Sequence, residues 1–365
     1  MKFLVLGIGS PQKDLIDALT GLHTVYACSN SMTGPARSKV DHFELIDITS
    51  KDDVYDYVLK NNIDVIYSVG SDVAMPTVTY VSEKLGLPTF VNYETAQVCN
   101  SKNMFREKLK DTYGSVGYSL IASEQYDVNL RYPIIVKPVD SQGQRGVRKV
   151  MVPEDLQSAY QEAVLHSRSG CVIAEEYVEG KEISVNAYIQ DGELKVFLPS
   201  DRISWPDSGG GFIHKHVLPC ALNELQGQNI RRLVESVCHV LKIMNGPVYF
   251  QIKLDGDDAK LIEVTPRLDG CHMWKLIKYA TGIDLLEMTI SGLLGTSSHS
   301  SASVCEGKWV LEFFCSPPAT KFDSSLCRIE DNAVYHEFYY SDGDEVRRMN
   351  GSKEKCGYQI YKVLS

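Results

Sequence analysis

The segment GPVYFQIKLDGDDAKLIEVTPR, residues 246–267, restricts this chain more than any other. Two runs of alternating apolar residues, 248–254 and 260–265, flank Asp255-Gly256-Asp257-Asp258, which predicts a β-hairpin. With the turn centred on Asp257, Gln251 lies directly across the ladder from Glu263. Side chains opposed in such a ladder stand about 5 Å apart at Cβ, and residues two apart share a face. Gln251, Glu263, Thr265 and Arg267 then project from one side. Two oxygen ligands, a hydroxyl and a guanidinium on one rigid face suit a hard cation such as Mg²⁺ and the phosphates it carries. An exposed polar face on a half-buried hairpin explains the same residues more plainly, so other parts of the chain must decide.

Upstream, residues 1–93 alternate predicted strands (3–6, 23–28, 43–47, 64–68) with predicted helices (11–20, 51–61, 75–85), the pattern of a parallel sheet with crossover helices. Gly7-Ile8-Gly9 follows the first strand, but Gln12 stands where the third glycine of a dinucleotide turn would fall. An oxidoreductase with a nicotinamide there is a competing reading. It leaves the polar residues farther along unexplained, and an NADH titration without a fluorescence change would dispose of it.

Lys102 opens a short helix, where a cation is unfavourable unless an anion is close. Lys137 is the one charge in a β-branched strand ending at Pro138. Residues 140–147 form a glycine-containing loop that can either cover phosphates with its N–H groups or simply join two strands. Glu175-Glu176-Tyr177-Val178 with Glu182 reads as a hinge able to hold a base and a sugar, or as a solvated charged turn. Residues 200–220 are glycine-rich and carry Arg202, His214 and His216, with room for substrate contacts. A long amphipathic helix over 223–244 leads into the hairpin; 273–281 and 283–294 are further helices, and three strands follow after 308.

The 365 residues carry a net charge of −10 and a pI near 5.4, which argues against a general nucleic-acid or membrane-surface binder. The start, MKFLVLGIGS, reads as a strand rather than a signal peptide, and no run approaches a membrane span. Ten cysteines without CxxC pairing suggest reduced thiols in a cytoplasmic protein, not a zinc site.

The order of these features (Rossmann-like start, lysine before a helix, strand lysine, glycine loop, acidic hinge, mobile loop, Gln/Glu hairpin) resembles the ATP-grasp superfamily, in particular its carboxylate–amine ligases and carbamoyl-phosphate-synthase-like members. The likeness covers residues 1–300, with the motifs between 100 and 272. It implies an α/β chain, α+β overall: a Rossmann-like lobe over 1–98, an ATP-grasp domain over 99–300 with a mobile lid near 115–195, and a β-rich C-terminal subdomain over 301–365. Lys102 and Lys137 look like the nucleotide-binding lysines. Ser141, Gln142, Gly143, Gly146 and Val147 match the phosphate-covering loop. Glu175, Glu176, Tyr177 and Val178 look like the adenine hinge, and Glu182 the ribose acceptor. Gln251, Glu263 and Thr265 look like ligands of Mg²⁺, for which Mn²⁺ can substitute. Arg267, with Lys137, takes the catalytic role of steadying the transferred phosphate. Arg202, His216 and His272 join Arg267 as candidates for holding the carboxylate substrate.

The family's Glu-x-Asn-Pro-Arg is here Glu263-Val264-Thr265-Pro266-Arg267. Threonine offers a hydroxyl in place of a carbonyl, which implies a weaker second metal position and keeps alive an ATP-binding module without chemistry. The main implication is an ADP-forming ligase that takes ATP, a small carboxylate and an amine, without nucleic acid or membrane partners and with a homodimer allowed. A purine-biosynthesis or carbamoyl-phosphate type that uses formate or bicarbonate is the alternative.

Overall fold

The computed structural model describes residues 1–121, 128–141, 145–205, 211–296, 305–348 and 353–364. Its N-terminal part is a parallel sheet of β1 (Lys2–Leu6), β2 (Thr24–Ser29), β3 (His42–Leu45) and β4 (Val65–Tyr67), ordered β3-β2-β1-β4. Helices α1 (Ser10–Leu19), α2 (Lys51–Asn61) and α3 (Met75–Leu85) are the crossovers that the strand–helix alternation predicts. Phe3 to Leu6 are all buried, as a strand covered on both faces requires. Gln12 folds back into the turn after β1: its Oε1 accepts from the Gly9 N–H at 2.9 Å, and its Nε2 donates to the Val69 carbonyl. That side chain packs against Gly7 and Gly9 and fills the turn, which argues against a nicotinamide there.

Helices α4 (Tyr93–Asn100) and α5 (Lys102–Leu109) lead to a small antiparallel sheet of β5 (Tyr118–Ile121), β6 (Ile134–Pro138), β7 (Arg148–Val150) and β8 (Val172–Glu176), ordered β5-β8-β6-β7. With α6 (Leu156–Leu165) it encloses its own core of Ile134, Val136, Leu156, Ala159 and Val172.

The remaining strands form one antiparallel sheet: β9 (Lys181–Gln190), β10 (Glu193–Ser204), β11 (Ile213–Leu218), β12 (Gly246–Asp255), β13 (Asp258–Thr265), β14 (Trp309–Ser316), β15 (Ala333–Phe338) and β16 (Glu354–Lys362), ordered β13-β12-β9-β10-β11-β14-β16-β15. Helices α7 (Glu224–Val240), α8 (Met273–Thr281) and α9 (Leu285–Leu293) pack on it. The stretch read from sequence as a C-terminal subdomain is joined to this sheet where β14 pairs with β11. Among the described residues no helix is long and apolar enough to cross a membrane.

Gln251 does pair with Glu263, although the turn is not centred on Asp257. Asp255 opposes Asp258 around a two-residue turn that begins with Gly256 at φ +61°, and a register slip between Gln251 and Ile252 restores the pairing. At the start of β9, Gly180 has φ +123°, and a Cβ there would lie 1.9 Å from the Leu254 carbonyl oxygen. Gly180→Ala should therefore lower stability by about 2 kcal/mol or more, from strain and clash together. An unchanged urea midpoint would refute this.

Candidate active site

Helix α5 sets Lys102 and Arg106 one turn apart on one side. The Arg106 guanidinium grips Glu175 with Nε–Oε1 at 2.9 Å and Nη2–Oε2 at 2.8 Å, and donates to the carbonyls of Leu261 (2.8 Å) and Ile262 (3.2 Å). Lys137 Nζ donates to Glu175 Oε2 at 2.7 Å. All three side chains are buried. Burial works to raise the Glu175 pKa, but Arg106 and Lys137 prevail and hold it at about 2. The Glu175 carboxylate, expected at an adenine hinge, is instead a knot that ties α5, β6, β8 and β13 together. Lys137 spends one N–H there and keeps two for phosphate.

Across the ladder from Gln251, half-buried Glu263 has its pKa raised, first by burial and then by Asp72, with Lys102, Arg267 and Lys137 pulling the other way. Asp72, in the loop after β4, accepts from Arg267 Nε at 2.7 Å and also from its Nη2; Arg267 Nη1 donates to the Leu268 carbonyl at 2.9 Å. Thr265 Oγ1 is buried and has no hydrogen-bond partner. A carboxylate whose charged form is penalised, with an orphaned hydroxyl oxygen and a facing amide on the same hairpin, fits a divalent cation.

Lys102 donates through Nζ to the Ser141 carbonyl at 2.7 Å, and so anchors the start of the predicted phosphate loop. Gly146 sits at φ +70° against the His166 ring, Val147 is exposed, and Gln142 and Gly143 lie outside the described residues. In the acidic hinge, Glu176 donates its N–H to the Gly117 carbonyl (2.9 Å) and accepts the Gly117 N–H (3.0 Å), so its backbone donor is already used within the fold. Tyr177 donates its N–H to the Pro133 carbonyl and lies under Lys149 Nζ, 3.5 Å from the ring centroid. The Val178 carbonyl accepts from Lys253 Nζ at 3.1 Å. Glu182, the expected ribose acceptor, is ion-paired with Arg202 and stands 3.8 Å from Lys253.

His272 is not placed to hold substrate. Its Nδ1 meets Asp14 Oδ2 at 2.8 Å, its Nε2 meets the Tyr339 hydroxyl at 3.0 Å, and its ring stacks on Tyr358. With both nitrogens engaged, it joins the N-terminal lobe to the C-terminal strands. His216 is also buried, but neither ring nitrogen has a partner; burial first, then Arg202 and Lys355, push its pKa well below the usual value. Sequence reasoning passes over Arg106, Asp269 and Lys355, whereas Asp72 falls in the segment 68–72 that it reads as a possible ligand contact at a strand end. For Arg106 a signal exists: it shares the buried side of α5 with Phe105 and Leu109, a place where a charge needs a partner.

Residues 130–274 match the family model described as an ATP-grasp domain. The chain is 23% identical, over 393 aligned residues, to phosphoribosylamine–glycine ligase of Methanosphaera stadtmanae, covering 97% of this chain and 88% of that protein. Among solved structures, phosphoribosylglycinamide synthetase from Anaerococcus prevotii superposes with a TM-score of 0.78 at 20% identity, covering 99% of this chain and 93% of the other. L-amino acid ligase from Bacillus licheniformis gives 0.80 at 16%, covering 100% and 93%. Residues 130–274 thus match an ATP-grasp domain, and nearly the whole chain shares its fold with the two ligases above.

Proposed function

We propose that this protein is an ADP-forming ligase that activates a carboxylate with ATP as an acyl phosphate and couples it to an amine. The observation that carries this reading is the set of charges around Glu263: Lys102, Lys137 and Arg267 with Asp72. Gln251, Glu263 and Thr265 would hold Mg²⁺ or Mn²⁺, which when bound offsets the negative charge of the nucleotide phosphates. Lys102 and Lys137 bind those phosphates, while Arg267, fixed by Asp72, steadies the phosphoryl group in transit. A substrate carboxylate oxygen attacks the γ-phosphorus and the bond to the β-phosphate oxygen breaks, releasing ADP. The amine then attacks the acyl carbon, the carbon–oxygen bond to phosphate breaks, and phosphate and one proton leave. No serine, cysteine or histidine nucleophile is required. The match along nearly the whole chain to phosphoribosylamine–glycine ligase favours, as a second reading, a substrate pair of the purine-pathway type.

All ten cysteines are free thiols, in keeping with a reducing compartment, and we place the protein in the cytoplasm. The test is phosphate release from ATP over paired carboxylates and amines. ADP and phosphate should form in equal amounts and only with both substrates present. Formation of AMP and pyrophosphate, or no nucleotide turnover with any pair, would overturn the reading.

A further inference from the structure

The turn between β13 and α8 brings together side chains of metal-ligand type that the ligase chemistry does not use. His216 comes from β11, and Asp269 and Cys271 belong to the turn itself. A His216 ring nitrogen, an Asp269 carboxylate oxygen and Cys271 Sγ lie within 4.8 Å of one another. Both nitrogens of His216 and Oδ2 of Asp269 are buried without a hydrogen-bond partner, and the two residues are 0% and 2% exposed. Buried polar atoms are nearly always paired in folded proteins. Unmet acceptors from two separate elements, converging on one sulfur, therefore mark a place for a ligand.

Each of the three is held in the form and orientation that binds a metal. Asp269 Oδ1 accepts the N–H groups of Cys271 (2.8 Å) and Met273 (3.4 Å), which fixes the carboxylate and leaves Oδ2 free, as ligating carboxylates are commonly held. Burial keeps His216 a neutral imidazole with a lone pair to give. Lys355 Nζ donates to Cys271 Sγ at 3.7 Å, and a cation beside a sulfur favours its thiolate. Arg202 adds no unmet charge, because it is ion-paired with Glu182. One carboxylate and one thiolate then balance a doubly charged ion, whereas a bare anion would face Asp269. No cavity larger than the ion is needed. Zinc–ligand bonds of about 2.0–2.3 Å set tetrahedral ligand atoms roughly 3.4–3.6 Å apart, so the three side chains need to close by only about 1 Å. Nitrogen and sulfur ligands select a borderline metal of the zinc type over Mg²⁺, which takes oxygen.

We propose that His216, Asp269 and Cys271 bind one ion of the Zn²⁺ class, separate from the Mg²⁺ expected at Gln251 and Glu263, with the fourth position taken by water. As the ion binds, the Cys271 thiol gives its proton to solvent and the sulfur–metal bond forms; nothing is oxidised or reduced. The ion ties β11 to the turn that follows Arg267. The far end of that turn is already fastened, through His272, to Asp14 and Tyr339. Occupancy thereby stiffens the segment next to the arginine that steadies the phosphoryl group. The ligands share no local spacing, since a strand residue joins two residues of a distant turn, and a count of cysteines without CxxC pairs does not reveal them. The proposal stands without the ligase reading, because metal binding is read without turnover.

The full-length chain, stripped with a chelator and given excess Mg²⁺ to fill the hairpin site, is titrated with Zn²⁺ against a colorimetric chelator, and separately with Co²⁺. Wild type should take up one equivalent of Zn²⁺. The Co²⁺ form should show thiolate-to-cobalt charge transfer together with the d–d absorption of a four-coordinate ion. Cys271→Ser should abolish the charge-transfer band. Cys271→Ser, His216→Gln and Asp269→Asn should each weaken Zn²⁺ by more than about a hundredfold, beyond the cost of losing a group that merely supports a ligand. Cys171→Ser, at an exposed thiol outside the group, should change neither result. Zn²⁺ should raise the urea midpoint of wild type but not of Cys271→Ser. Circular dichroism shows that each variant is folded. If none folds, the wild-type cobalt spectrum decides alone: the hairpin site has no sulfur ligand, and this is the one such His/Cys/Asp/Glu group among the described residues. No Zn²⁺ uptake in the presence of Mg²⁺, with a buried water meeting these atoms instead, would overturn the proposal. So would a cobalt spectrum without charge transfer, or Zn²⁺ affinity unchanged in the three variants.

Discussion

Replacing Glu263 with glutamine is expected to cut ATP-dependent phosphate release by more than about a hundredfold, the upper range for loss of a group that merely supports a metal ligand. The same change should make the folded protein more stable at neutral pH. Burial and Asp72 hold the Glu263 pKa above the ordinary glutamate value of 4.5. Between 4.5 and that raised value the folded state keeps a proton that the unfolded chain gives up, so stability falls as pH rises through the window and stays lowered above it. Glutamine removes this loss. Added Mg²⁺ should stabilise wild type by mass action and the variant much less. Phosphate release together with urea unfolding at pH 7, with and without Mg²⁺, checks all three. A variant that is active, or less stable than wild type, would show that Glu263 is an ordinary surface carboxylate.

The second large effect concerns Glu175. Its replacement by alanine leaves Arg106 and Lys137 buried without their counter-charge, which should cost about 3–5 kcal/mol. The pH dependence has the opposite sign to that of Glu263. A folded pKa of about 2 against the ordinary 4.5 gives stability that is present above 4.5 and is lost as pH falls from 4.5 toward 2. Glu175→Gln should flatten that acid limb. Replacing Arg106, Lys137 and Glu175 together with Met, Met and Leu should recover much of the stability, since a well-packed apolar set of similar volume substitutes for an ion cluster, while Lys137's contribution to turnover is lost. Hydrogen exchange of the β6 and β8 amides reports this lobe separately from the rest of the chain. Wild-type protection in Glu175→Ala would mean that the three charges are solvated.

The contrast between these two carboxylates shows how far the sequence can be read. Both stand out as glutamates beside apolar strands. The hairpin context gives Glu263 its facing Gln251 directly, because pairing within a hairpin is a short-range matter. Even there the turn lies elsewhere than its residues suggest, and the pairing holds because the slip at Gln251 compensates for the two-residue turn. For Glu175 the nearest signal, the acidic run up to Glu182, suggests a ligand-facing hinge. Its real partner, Arg106, is 69 residues away and approaches from another helix.

Local periodicity determined the elements: the strand–helix alternation of the first lobe, the helices at 51–61, 75–85 and 273–281, and the hairpin with its four polar residues on one face. Those follow from side-chain spacing along a few turns or strand residues, and the order of the motifs was enough to suggest the superfamily. Only the tertiary structure decided which charges meet. It locked Glu175 between Arg106 and Lys137, set Asp72 on Arg267 from the first lobe, used up both nitrogens of His272, and extended the central sheet with the C-terminal strands so that Lys355 reaches Cys271. A buried charge is tolerated only with its partner in place, and which partner arrives is set by how distant elements pack, which no local pattern of residues encodes.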